Sequence, residues 1–125
     1  MRSGATASAA PDALSFPREC RLLDGRAFKR VFDQRRVHGN ELFRIHYASA
    51  ECPRIGLAIS KRVDKRAVVR NRIRRQIRES FRLIRPELAA MDFVVLARPA
   101  AARADREQLR SALDALWHRF LMDNS

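Results

Sequence analysis

Val69, Ile73, Ile77, Phe81 and Ile84 constrain this chain more than any other set of residues. At a helical 100° per residue they gather on one arc of about 120°. The spacing predicts a helix over about residues 66–85, stopped by Pro86. Such a stripe is buried only against a second layer, so the chain must supply a sheet or further helices to cover it.

The rest of that helix is arginine. From Lys61 to Arg85 there are eleven basic residues and two acidic ones, a net +9 out of the chain's +12. Within the helix Glu79 is the only carboxylate, placed to meet Arg75 one turn before it and Arg82 one turn after. The bland reading is a solvated charged face, but such faces interleave both signs. Like charges four residues apart cost a few tenths of a kcal/mol each, and binding a polyanion removes that repulsion and releases counterions. With a sequence pI of about 11.5, nucleic acid is the first candidate partner and an anionic membrane surface the second. Charge does not separate DNA from RNA. Zinc-finger, homeodomain and basic-zipper patterns are absent from the sequence.

A chain of 125 residues suggests one domain. Residues 1–15, rich in Ala, Ser, Gly and Pro, read as a disordered extension. A short helix follows, capped by Asp24, with Leu22 and Leu23 placed for a hydrophobic staple and Ala27, Phe28, Val31 and Phe32 as its apolar stripe. It fades before the turn pair Gly39-Asn40. Residues 42–49 alternate, with Phe43, Ile45 and Tyr47 on one face and Arg44 and His46 on the other. Residues 54–60 alternate again, and their closeness suggests an antiparallel pair. MDFVVLA, residues 91–97, reads as a mostly buried strand that pairs in parallel with an earlier one. A last helix starts at Asp105, with Gln108 completing a capping box; Leu109, Ala112, Leu113, Leu116 and Phe120 line it and Trp117 flanks them. The expected order is α-β-β-β-α-β-α, an α+β fold (an α/β sandwich) with one small mixed sheet and three helices. The domain is expected over residues 16–121, with a tail at 122–125.

Cys20 and Cys52 lie far apart with no His or Cys at ligand spacing, so free thiols in a reducing cytoplasm are expected and a zinc site is not. No apolar run approaches the ~20 residues of a membrane span, and a soluble, cytoplasmic protein is expected. His38, His46 and His118 are scattered, and the sequence shows neither clustered carboxylates for a two-metal nuclease nor a Ser/His/Asp spacing. No catalytic residue is assigned.

AVVRNRIRRQIRESFR, residues 67–82, resembles the signature of the bacterial ribonuclease P protein family, an Arg-Asn-Arg run followed by basic residues at helical spacing. FPRECRLLDGRAFKRVF looks like the family's first helix, PRIGLAISKRV like the strand and basic turn before the signature, AMDFVVLAR like the last strand and LDALWHRF like the closing helix. Five blocks in order are a specific match. The resemblance implies a fold similar to the second domain of ribosomal protein S5, with a left-handed βαβ crossover of the kind that about 98% of such connections avoid. It implies the protein component of a ribonucleoprotein endoribonuclease that removes the 5′ leader of precursor tRNA. The catalytic groups, and the Mg2+ ions expected as cofactor, come from the RNA. Expected partners are the catalytic RNA, at one protein per RNA, and precursor tRNA, with no DNA and no membrane. Carried over residue by residue, Lys61, Arg62, Arg70, Asn71, Arg72, Arg74, Arg75 and Arg78 would face the catalytic RNA. Phe28 and Phe32 would line a cleft for the single-stranded leader, with Phe43 or Tyr47 as the facing strand residue and His46 as a third candidate. Base stacking on such rings contributes about 1–3 kcal/mol per base and tolerates any sequence.

Overall fold

The computed structural model describes residues 25–121. The elements run α1 (Gly25–Asp33), β1 (Val37–Gly39), β2 (Phe43–Ser49), β3 (Arg54–Ala58), α2 (Ala67–Ile84), β4 (Met91–Ala97) and α3 (Arg106–Trp117), with short 3-10 turns at Arg85–Glu87, Pro99–Arg103 and His118–Phe120. The expected 1–15 extension, the Asp24 cap with its Leu22 and Leu23 staple, and the 122–125 tail fall outside the described residues.

The sheet order is β1-β2-β4-β3. β2 does not pair with β3, contrary to the hairpin expected from their closeness in sequence. Both pair instead with β4, β2 antiparallel and β3 parallel. The reason lies in β4 itself: Asp92, Phe93, Val94 and Val95 are all buried, so this strand has covered faces on both sides and takes the interior of the sheet. The parallel β3-α2-β4 unit is the one anticipated for the last strand. The third early strand is β1, inside the segment read as a fading helix.

The two faces of the sheet carry unequal layers. Phe43, Ile45, Ile55, Phe93 and Val95 point into the main core with Val69, Ile73, Ile77 and Phe81 of α2 and Leu109, Leu113 and Leu116 of α3. Trp117 is fully buried rather than flanking, packed near Phe81 and Phe93 with ring centroids 5.5 and 5.4 Å away. Its indole N–H donates to Ser80 Oγ at 2.9 Å, which settles the polar edge of a buried ring. The capping box of α3 forms as expected: Gln108 N–H donates to Asp105 Oδ1 at 2.8 Å and Asp105 N–H to Gln108 Oε1 at 2.9 Å. On the other face α1 packs alone, with Val31 against Ala48 and Val94.

Cys52 is disulfide-bonded, which corrects the expected free thiol at that position. Distance along a chain carries no information about reach in a folded domain, and bonding depends on Cα separation in space. Cys20 lies outside the described residues.

Candidate nucleic-acid interface

Two surfaces collect the residues singled out from the sequence. The first is the outer side of α2. Its start carries no side-chain cap of its own; the turn before it is held by Asp64, whose Oδ1 accepts from the Arg66 N–H at 2.8 Å and from its Nε at 3.0 Å. The Arg66 side-chain and backbone hydrogen bonds hold the Asp64 carboxyl down at about 2. Arg70 folds back onto the same turn and donates to the carbonyls of Asp64 and Lys65 at 3.0 and 2.8 Å. Arg74 donates to Asn71 Oδ1 at 2.8 Å and to the Ile59 carbonyl at 3.1 Å. That second bond ties the helix to the end of β3, where the exposed Lys61 and Arg62 begin the basic turn. Arg72 reaches the Ala102 carbonyl at 3.3 Å.

The Arg75 and Arg78 side chains are exposed and make no hydrogen bond or ion pair among the described residues. Glu79 does not serve Arg75 or Arg82 as the spacing suggested; it accepts from Arg110 of α3 at 3.0 Å. The packing of α3 against α2 draws the carboxylate sideways, because a partner on a neighbouring helix is already held in place. The outer arginine face is therefore more cationic than the sequence alone indicated. All eight basic-face candidates, Asn71 included, lie on α2 or the turn that leads into it.

The second surface lies between α1 and the sheet. The Phe28 and Phe32 rings are 6.4 Å apart. Phe32, 36% exposed, meets His46 of β2 edge-on at 4.8 Å. The other two strand candidates are elsewhere. Phe43 is fully buried in the main core. Tyr47 is on the same far face, 4.9 Å from Phe120 and stacked on His38 at 5.2 Å. Neither joins Phe28 and Phe32, because alternation sends the side chains on either side of His46 to the opposite face. Of the three strand candidates, His46 is thus the one whose ring meets Phe32. Burial, then the positive charge of Arg44, holds its imidazole below the usual histidine range, so at neutral pH it offers an uncharged ring.

One polar knot fixes the cleft wall. Asp92 of β4, fully buried, accepts from Arg54 of β3 through Oδ1 at 2.5 Å and Oδ2 at 2.7 Å, and also from Arg30 of α1. Nothing in the sequence pattern signals this knot: Asp92 sits inside an apolar run, and its partners lie on two other elements.

An arginine-faced helix and a partly exposed ring cluster, carried on a small α+β sandwich, give the chain the surface chemistry of a polyanion-docking protein. Known proteins narrow that class. The Ribonuclease P family model matches residues 16–121, and the chain belongs to that family. It is 47% identical over 108 residues to the ribonuclease P protein component of Escherichia coli O157:H7, covering 85% of this chain and 91% of that one. It is 43% identical over 105 residues to that of Xanthomonas axonopodis pv. citri, covering 83% and 72%. Among solved structures, the RNase P protein of Staphylococcus aureus superposes with a TM-score of 0.75 at 26% identity, covering 80% of this chain and 94% of that one. Among the described residues no helix is long and apolar enough to cross a membrane.

Proposed function

We propose that this chain docks on the catalytic RNA of ribonuclease P through the outer face of α2 and holds the single-stranded 5′ leader of precursor tRNA in the cleft between α1 and β2. The observation that carries this reading is the family match over residues 16–121, together with an α2 whose Arg75 and Arg78 find no counter-charge within the described fold. Arg70, Arg72 and Arg74 brace the surrounding backbone, and their remaining guanidinium edges, with Lys61, Arg62 and Asn71, complete a surface for phosphates. Phe28, Phe32 and His46 supply ring faces and edges for bases without a sequence code.

The protein's part in the reaction is to position. The Mg2+ ions of the reaction are held by the RNA in this reading, which rests on the family the chain belongs to. The cationic face lowers phosphate repulsion where RNA, substrate and ions meet. The same reading puts the protein in the cytoplasm, one copy per catalytic RNA.

The test is reconstitution with a bacterial ribonuclease P RNA at low magnesium. Cleavage of precursor tRNA should rise above that of the RNA alone. Binding to the RNA without any gain in cleavage would leave a merely structural RNA-binding protein and end the proposal.

A further inference from the structure

The cleft continues past its rings onto the edge of the sheet. In the register of β1 with β2, Val37 stands opposite His46 and Gly39 opposite Arg44. Residues directly opposite in an antiparallel pair share a face, and His46 faces α1 through its contact with Phe32. Val37, Gly39, Arg44 and His46 therefore form one floor beside the α1 wall. Two of the large apolar side chains exposed among the described residues lie here: Val37 at 42% and Phe32 at 36%.

Arg44 is the cation of that floor. It is exposed, and its side chain makes no hydrogen bond or ion pair among the described residues. The nearest carboxylate on α1, Asp33, is taken by Lys29 at 3.1 Å. The Arg44 Cγ lies 3.5 Å from the point a Cβ on Gly39 would occupy, so its stem crosses the edge strand where that strand has no side chain. Its charge is close enough to His46 to help keep that imidazole neutral. Along β2 it stands two residues, about 7 Å, from His46, a spacing on the scale of one extended nucleotide.

We propose that Arg44 is the phosphate-binding residue of this cleft: it grips the backbone of the single strand whose bases lie on Phe32 and His46, while Val37 and the bare Gly39 let that strand approach the sheet edge. An unpaired guanidinium with a supported stem suits a phosphodiester, which accepts from its planar fork. The inference rests on the reading of the cleft as the leader site and adds where the leader's backbone runs. It also requires that recognition here be blind to base identity, because the contact is to phosphate.

The experiment uses the ribonucleoprotein reconstituted with ribonuclease P RNA and two precursors, one with a long single-stranded leader and one with the leader cut to a single nucleotide. Arg44→Gln should weaken binding of the long-leader precursor and reduce its log–log salt slope by about 0.7, the value for one phosphate contact on a single strand. Arg44→Lys should recover most of that slope, since the charge is kept. Phe32→Ala is measured in parallel. If Phe32→Ala discriminates between the precursors and Arg44→Gln does not, the phosphate assignment is overturned and the cleft reading stands. If Arg44→Gln weakens both precursors equally, Arg44 acts elsewhere and the assignment is likewise lost. If neither variant discriminates, the cleft is not the leader site and both fall.

Discussion

Arg110 of α3 donates to Glu79 of α2 at 3.0 Å, and this one contact removes the only carboxylate of α2 from its arginine face. The ion pair joins the two helices that cover the main core, and among the described residues it leaves Arg75 and Arg82 without an ion-pair partner. Both partners keep some access to water, with side chains 28% and 40% exposed. Glu79→Gln should therefore cost at most about 1 kcal/mol of stability, seen as a small drop in the urea midpoint. RNA affinity should hold or rise slightly. A large loss of affinity would mean that Glu79 is needed on the RNA side.

The free and the braced arginines of α2 should behave differently. Arg75→Ala removes an exposed guanidinium with no partner among the described residues, so folding should be unchanged while the salt slope of catalytic-RNA binding falls by about one unit. Arg74→Ala also releases the Ile59 carbonyl and Asn71, and with them the turn that carries Lys61 and Arg62. Its loss of affinity should exceed that of Arg75→Ala, with a measurable fall in melting temperature. Equal effects from the two would show that the brace is idle.

Asp92 is the point where α1, β3 and β4 are tied together. Asp92→Ala would leave Arg54 and Arg30 facing a buried gap. The expected loss is about 3 kcal/mol, the low end for a broken buried ion pair because both arginines retain some solvent contact. Asp92→Asn keeps an acceptor and should lose less. Chemical denaturation measures both. A neutral result for Asp92→Ala would show that the knot serves specificity of packing rather than stability.

The helices were legible in the sequence because their apolar spacing is strict: Val69, Ile73, Ile77 and Phe81 are all buried as the 100° rule requires. The Asp105–Gln108 box was legible because it is a local contact. Strand order was not, because closeness of β2 to β3 in sequence favours a hairpin while the two-sided burial of β4 decides the sheet, and only the run of apolar residues at 93–95 hinted at that. The cleft was half legible. Alternation separated His46 from Phe43 and Tyr47 but could not say that the polar-looking face receives α1. That helix covers Ala48 and Val94 while Arg44 stays exposed, so a face that reads as solvent is covered along part of its length.

The histidines set a pH dependence of known sign. In His46 the cause is burial and then the charge of Arg44; in His38 it is burial and then Arg119. Both are held below 6.5 in the folded chain, so the unfolded chain takes up protons first as pH falls. Stability should be complete above about pH 7 and decline as pH drops through 6.5 toward the lowered folded values. Denaturation midpoints measured across that range check it, and His46→Gln should flatten part of the decline. A stability that rises on acidification through this window would contradict the burial of both rings.

Phe32 and Phe43 separate the cleft from the core. Phe43 is fully buried among the side chains of the main core, so Phe43→Ala should cost about 3–5 kcal/mol of stability. Any effect on precursor binding should then follow from loss of folded protein. Phe32 is more than a third exposed beside His46, so Phe32→Ala should cost only about 1 kcal/mol. If a leader base lies on its ring, the same change should weaken binding of leader-bearing precursor by about 1–3 kcal/mol and leave mature tRNA nearly untouched. Measuring melting temperature alongside affinity for both RNAs decides the matter: a stability loss at Phe32 as large as that at Phe43, with equal losses for the two RNAs, would return Phe32 to the core and leave the cleft without its central ring.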